Sequence, residues 1–402
     1  MFAHAQAADV LIRGATVYTG TPQGVLKNAD VLMSGGRIAA VGNGVSAPAN
    51  ATVIEAKGRP LTAGLFGGLS DIGLEEVSLE SSTVDENLTA SKPPQEMQWR
   101  PEFDVTLAFN PRSVLLPVAR VEGLTWTVLT PGSSGGSSFV AGQGAAVTLD
   151  GRYDAALAGS RSLFIDLGSS TLELSGGSRA AQWMLLDQAI REVRAGKPLD
   201  EHSLLHTAGR EAFARYLNNG RVVFNVTRAA DIRQTIAFAQ RNGIKPVIAG
   251  GAEAWVVADE LARAKVPVVL NSLEDLPEDF DRIGARLDNA ALLAKAGVRV
   301  AFSIGESHNA RKNRQLAGNA VAHGLPWDAG LAGLTSVPAE IFGLVDRGRI
   351  AQNQVADLVL WSGDPLELTS LADQVWIAGK PVEMRSRQTE LRDRYFQRLK
   401  GN

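Results

Sequence analysis

The sequence predicts an α/β fold in which a parallel β/α barrel carries a β-sandwich assembled from the two ends of the chain. Apolar runs of strand character alternate with helical stretches through the middle of the chain, the pattern of parallel βα units. Short period-two runs bounded by Gly and Asn occupy both ends, and such runs signal strands and tight turns. With 402 residues and 45% hydrophobic content, the chain can bury a large core and exceeds the usual single-domain size.

At the N-terminal end, Val10, Ile12 and Val17-Tyr18 precede Gly20, Val31-Leu32-Met33 run into Gly35-Gly36, and Ile38-Ala39-Ala40-Val41 stop at Gly42. The pattern returns late in the chain at 356–361 and 375–382. Two β pieces flanking a long middle predict one sandwich from residues 8–61 plus 351–385, with a barrel over 62–350 and a helical tail over 386–402. The barrel strands are expected at Leu124–Leu129, Leu163–Ile165, Val222–Phe224, Pro246–Ala249, Val266–Leu270 and Val298–Phe302. Helices are expected at Ala180–Arg194, Ala229–Arg241, Ala252–Ala264 and Asn289–Ala296, where apolar residues recur at helical spacing. The third and fourth strands are the weakest part of the pattern, because Ser133–Gly177 is rich in Gly and Ser and holds no clean helix.

Composition excludes several functions. A net charge of −3 leaves no basic footprint, so nucleic acid is not an expected partner. No apolar run reaches the roughly 18 residues that span a bilayer, so no membrane contact is expected. The absence of cysteine rules out disulfides, a thiolate nucleophile and a Cys-based metal site. Residues 1–8 read as the small-residue end of a secretory signal, with Ala-x-Ala at 3–5 and 5–7 but no charged or apolar region. They predict a periplasmic or secreted protein, the alternative being a cytoplasmic one.

Two blocks of the chain resemble the amidohydrolase superfamily, in its imidazolonepropionase-like branch. One is Ser34-Gly35-Gly36-Arg37-Ile38-Ala39-Ala40-Val41-Gly42 followed by Val53-Ile54-Glu55-Ala56-Lys57-Gly58-Arg59. The other runs from Ala339 to Ile350 and continues through Ala356-Asp357-Leu358-Val359-Leu360 to Asp364-Pro365. The resemblance implies a distorted (β/α)8 TIM barrel with a composite β-sandwich, and hydrolysis of non-peptide C–N bonds, as in cyclic amides or acyl dipeptides. It also implies zinc, because metal coordination lowers the pKa of water from about 15.7 to about 7.

The ligands that the resemblance implies are replaced. The segment Thr62-Ala63-Gly64-Leu65-Phe66-Gly67-Gly68-Leu69-Ser70-Asp71 stands where Pro-Gly-Leu-Ile-Asp-x-His-x-His is expected, so the two histidines fall on Leu69 and Asp71. The fifth-strand histidine falls on Asn225, the sixth on Gly250, and the eighth-strand aspartate on Gly305, or on Glu306 with a one-residue shift. No lysine stands in the third-strand candidate Phe164-Ile165-Asp166-Leu167-Gly168. Leucine and glycine side chains donate no lone pair, and an amide oxygen substitutes poorly for imidazole on zinc. The expectation is therefore no metal at the usual place and no cofactor.

Asp71, Glu76, Asn225, Arg228, Asp231, Glu253, Glu306 and His308 are expected near the C-terminal strand ends, where barrel enzymes build their sites. Asp71 with Glu306 makes a candidate base and acid, joined by His308. Each has a structural alternative: Asp231 and Glu253 open helices and suit a cap, Arg228 suits a rim ion pair, and Glu306 and His308 sit in a polar loop. His4, His202, His206 and His323 lack ligand spacing. Gly132–Ser138 resembles a phosphate loop without the Lys-Ser/Thr ending, and its serines lack a nucleophile elbow. The polar stretch from Ser78 to Arg100 is expected over the barrel mouth as a lid or subunit contact. Three functions compete: a C–N hydrolase, an inactive subunit that pairs with and regulates an active relative, and a small-molecule binding protein; the expected partners are a small-molecule substrate or ligand and a homo-oligomer or a hetero-oligomer with an active relative.

Overall fold

The computed structural model describes residues 9–88, 99–133, 138–196, 198–305 and 307–400. The chain opens with β1 (Val10–Tyr18), β2 (Val25–Ser34), β3 (Arg37–Gly42), β4 (Thr52–Glu55) and β5 (Pro60–Ala63). β1 pairs antiparallel with β2 along one edge. Along its other edge it pairs with β4 through Val10–Arg13 and then with β5 through Thr16 and Val17. Register breaks between Ile12 and Val17 mark where one strand is shared between two leaves, the work a β-bulge does. Leu61, Val17, Val31 and Ile12 fill the space between the leaves.

The barrel follows. Its strands are β6 (Leu65–Ser70), β7 (Leu124–Leu129), β8 (Val140–Gly144), β9 (Ala146–Thr148), β10 (Ser162–Asp166), β11 (Arg221–Val226), β12 (Lys245–Gly250), β13 (Val268–Leu270) and β14 (Val300–Phe302). β10 to β14 pair in sequence order, all parallel. β8 pairs antiparallel with β10, and β9 pairs antiparallel with β7, which is parallel to β6. Only Ala145 separates β8 from β9, so one run serves as the third barrel strand in reversed direction. Its sequence reads as a loop because close approach requires glycine: a Cβ on Gly144 would lie 1.9 Å from the Leu129 carbonyl oxygen.

The helices of the barrel are α1 (Leu115–Arg120), α2 (Arg179–Ala195), α3 (Thr207–Ala214), α4 (Ala229–Asn242), α5 (Ala258–Ala264), α6 (Asn289–Lys295), α7 (Asn313–Ala322), α8 (Trp327–Ala332) and α9 (Ser336–Ile341). In α4, Ile232, Thr235, Ile236 and Ala239 fall at the i, i+3, i+4, i+7 spacing of one face, and all are buried. The helix expected over Ala252–Ala264 divides into a 3-10 turn, Ala254–Val257, and α5. Two β-branched residues, Val256 and Val257, disfavour a continuous helix, and the Trp255 indole is tied to the Gly284 carbonyl at 2.8 Å.

Inward-facing Phe66, Trp126, Phe164, Val223, Val247, Val269 and Ala301 pack the barrel interior, and α9 with Phe342 closes its N-terminal floor. Phe342 meets Phe66 at 6.0 Å, while Arg221 at the start of β11 donates to the Ile341 carbonyl at 2.6 Å. The chain then returns as β15 (Leu358–Trp361), β16 (Ala372–Ile377) and β17 (Lys380–Pro381), and β15 pairs with β5 to complete an eight-stranded composite sheet. The last element, α10 (Arg387–Leu399), is opened by a capping box at Ser386 and buries none of its residues. No helix among the described residues is long and apolar enough to cross a membrane.

Candidate functional site at the barrel mouth

Parallel strands leave their C-terminal ends on one side of the ring, where the connecting loops carry the variable side chains. Here those ends enclose a cavity of about 330 Å³. Leu69, Phe164, Val223 and Val269 form its apolar base, and Asp166, Asn225, Thr130, Asn271, Glu274 and Arg282 supply its polar groups.

Among the described residues no ladder joins β14 to β6; side chains close that seam. The Ser303 hydroxyl accepts from the Leu69 amide at 2.9 Å, lies 3.1 Å from the Leu69 carbonyl to which it donates, and also meets the Gly305 amide at 3.3 Å. Asn313 accepts from the Ile304 amide at 3.2 Å and donates to the Phe66 carbonyl at 3.4 Å. Gly68, at φ +88°, makes this possible, since a Cβ there would lie 2.7 Å from Ser303 Oγ and from Asn313 Nδ2.

At the end of β10, burial holds the Asp166 carboxyl above the usual carboxylate range, against hydrogen bonds from Ser133 and Asn225 that favour its charged form. On the loop after β13, burial likewise raises Glu274, with Arg282 opposing. Arg282 lies 3.8 Å from Glu274, 3.0 Å from Glu278 and 3.6 Å from Asp279. A second acidic group gathers around Asp71. The turn after β6 brings Glu75 back onto Asp71, with the Leu74 and Glu75 amides donating to the Asp71 carbonyl at 2.8 and 3.1 Å. Burial raises Glu75 and the negative charge of Asp71 raises it further, while His308 opposes. Burial also raises Glu86, whose charge is disfavoured by Asp71, Glu75 and Asp85.

The sequence-derived candidates divide. Asn225 lines the cavity, and Asp71 and His308 converge electrostatically on Glu75. Glu306 lies outside the described residues, as do Ser134–Ser137 of the glycine-serine loop and residues 89–98 of the expected lid. Four candidates engage elsewhere than in the cavity. Arg228 and Asp231 form a two-point ion pair at 3.0 and 2.9 Å, and Asp231 also meets Arg179 at 3.3 Å. Arg179 pairs in turn with Asp281. Burial works against charge at Asp281, yet the Ser169 amide and hydroxyl and Arg179 together hold its carboxyl below the usual range. Glu253 accepts from the Ala229 amide at 3.0 Å and the Gly284 amide at 3.0 Å, so it caps the start of α4 from a neighbouring element. Glu76 accepts from the Val114 amide at 3.2 Å and ties down the start of α1. Glu75, Glu86, Asp166, Glu274 and Arg282 escaped the sequence reading. The signal for the last two was the polar stretch 271–288 after a short apolar strand, a long connection on the ligand-facing end.

The model of the amidohydrolase family matches residues 140–382. The chain belongs to the amidohydrolase family. It is 30% identical over 361 residues to an adenine deaminase of Deinococcus radiodurans, covering 88% of this chain and 58% of that protein. The chain thus spans little more than half the length of that relative. A shorter match, 43% identity over 58 residues, links it to the amidohydrolase tasK of Hapsidospora irregularis, covering 14% of this chain and 6% of that one. Among solved structures, an amidohydrolase from Thermotoga maritima superposes with a TM-score of 0.81 at 26% identity, covering 94% of this chain and all of that one.

Family membership raises the question of a metal at the mouth of this amidohydrolase-family barrel. Of the positions where the resemblance places ligands, Leu69, Asn225, Gly250 and Gly305 all line the cavity. Among the described residues no three His, Cys, Asp or Glu side chains come together to hold a metal ion. A structural zinc takes four protein ligands and a catalytic one three. The described residues therefore do not supply a fit for one at this place.

Proposed function

We propose that this amidohydrolase-family chain takes a small amide-bearing molecule, a cyclic amide or an acyl dipeptide, into the barrel mouth and binds it without metal-activated hydrolysis. The carrying observation is the lining of the mouth cavity: recognition groups are present where the described residues offer no ligand set. The Asp166 carboxyl, whose charged form burial disfavours, and the Asn225 amide present polar atoms to the cavity, and Arg282 offers a planar fork to a carbonyl or carboxylate. The size suits a flat nitrogen heterocycle, the class to which the substrate of an adenine deaminase belongs. In this role the protein serves as a binding or regulatory member of its family, in homo-oligomers or paired with an active relative.

A second reading rests on Glu75. A carboxyl raised beside Asp71 and His308 is the arrangement of an acid and base pair, and it supports hydrolysis in which Asp71 takes the proton of water and Glu75 delivers one to the leaving nitrogen.

The two readings separate in one set of measurements on the purified protein. Elemental analysis is combined with calorimetric binding of cyclic amides and N-acyl dipeptides, and with hydrolysis assays of the same compounds with and without added zinc. Binding without turnover and without stoichiometric metal is the expected result, and a ligand at about 100 times its Kd raises stability by roughly 2.7 kcal/mol. Metal-free turnover that disappears in Asp71→Asn establishes the second reading instead. Turnover dependent on bound zinc overturns both.

A further inference from the structure

A second cavity, of about 300 Å³, lies between the sandwich and the floor end of the barrel and shares no lining residue with the mouth. Its walls come from β1 and the turn after it, from Thr62 and Ala63 of β5, and from α8 and the start of α9. That volume is at the low end for small-molecule sites.

Three threonine hydroxyls around it are already engaged. Thr19 donates to the Gly24 carbonyl at 2.7 Å, and Thr335 to the Leu331 carbonyl at 2.8 Å. Thr62 donates to the Ala63 carbonyl and accepts from the Trp361 indole, both at 2.9 Å. With their oxygens spent on the protein, these threonines offer a ligand mainly methyl groups, beside Leu331, Ala332 and Ala63.

The remaining wall is aromatic and electron-rich. Tyr18 and Trp327, both in the lining, meet as an aromatic corner with ring centroids 4.8 Å apart at a 41° tilt. The indole N–H of Trp327 points at the Asp364 carboxylate, 2.9 and 3.2 Å from its two oxygens. A donor polarised by an anion leaves its ring face more negative, which strengthens attraction for a cation. Asp328 adds a carboxylate to the lining, and the charge of Asp364 reaches Tyr18, whose hydroxyl is raised first by burial and then by that charge. Arg349, beside Gly20 of the lining, is held by Glu340 and by the Gly20 carbonyl.

From this geometry we infer that the junction cavity binds a small aromatic ammonium ion, its cationic head against Tyr18 and Trp327 and its ring against Leu331 and Ala332. Apolar walls alone fit any hydrophobe; the aromatic corner backed by two carboxylates selects positive charge.

The test is isothermal titration calorimetry of the full chain with benzyltrimethylammonium and with neopentylbenzene, its uncharged carbon isostere. The cation is expected to bind at least about 10-fold more tightly than the isostere. Trp327→Leu is expected to weaken it by about 10-fold or more, Asp364→Asn by a few-fold, and Ala332→Phe, which fills the space from the rim, to abolish binding. Arg282→Ala, at the mouth, is expected to leave it unchanged, and thermal unfolding of each variant checks that it folds. Equal affinity for the isostere, or full binding by Trp327→Leu or Ala332→Phe, overturns the proposal. So does a change of affinity in Arg282→Ala, which would put the ligand at the mouth, where removing a like charge strengthens its binding. Because none of these readouts involves turnover or amide ligands, failure here leaves the reading of the mouth standing, and the reverse holds.

Discussion

In the sandwich, Arg347 and Asp357 are sealed together at 8% and 4% side-chain exposure, and Asp357 also accepts from the Ala378 amide at 2.7 Å. At the mouth, Arg282 keeps 30% of its side chain exposed and divides itself among three carboxylates at 3.0 to 3.8 Å. Both are Arg and Asp/Glu assemblies, but the first is closed to solvent and the second stays open to it. A sealed pair fixes how β15 joins the body of the chain, and its loss leaves a charge with no solvent. An open one can exchange a partner for a ligand.

The sharpest test of that contrast removes Asp357. Asp357→Ala strands the Arg347 guanidinium, and the expected loss is about 3–5 kcal/mol in urea unfolding; a loss below about 1 kcal/mol would mean the site is solvated. Next comes Gly144→Ala, which drives a Cβ into the Leu129 carbonyl. Backbone cannot swing aside as a side chain can, and the expected cost is about 1–3 kcal/mol, read by the same method. Arg282→Ala should behave in the opposite way, lowering affinity for an amide ligand at the mouth about 10-fold, or about 1.4 kcal/mol, while the unfolding midpoint stays put. A fall in stability with unchanged affinity would reverse the assignment of the two regions.

Asp166 gives a pH signature. Its folded-state pKa is raised by burial, so its contribution to stability is complete below the unfolded carboxyl value near 3.9 and is lost as pH rises through the folded value. Asp166→Asn, which keeps the shape and removes the ionisation, should flatten that decline, measured as the wild-type-minus-variant difference in melting temperature between pH 4 and pH 8. A difference independent of pH would show that Asp166 ionises as freely in the fold as out of it. The smallest effect is expected outside both regions: Arg233 and Glu260 pair at 3.0 Å on the exposed faces of α4 and α5, and Glu260→Ala should change stability by no more than about 0.5 kcal/mol.

What could be read from the sequence follows the same division. The blocks around Arg347-Gly348 and Asp357 carry the family resemblance because packing dictates them. A Cβ on Gly348, for example, would meet the Thr335 carbonyl at 2.5 Å. The strands β10 to β14 were visible for a related reason, since burial on both faces demands unbroken apolar runs. The third strand was not, because its glycines answer to neighbours distant in sequence and imitate a loop. At the mouth, Asn225 could be placed from its strand, whereas Arg282 and Glu274 could not, because a long loop fixes no periodicity. Asp231 and Glu253 are rim candidates on chain position, which cannot distinguish a carboxylate facing a ligand from one turned toward arginines, as Asp231 is, or toward backbone amides, as Glu253 is.

The reversed third strand has a practical corollary for labelling. β8 enters beside Asp166 and β9 leaves beside the start of β7, so the hairpin beyond Thr148 emerges beneath the ring, opposite the mouth. Exposed Arg152 and Tyr153 in that hairpin therefore offer an attachment point for a dye or tether that leaves the ligand entrance unobstructed, whereas the exits of the parallel strands open onto it.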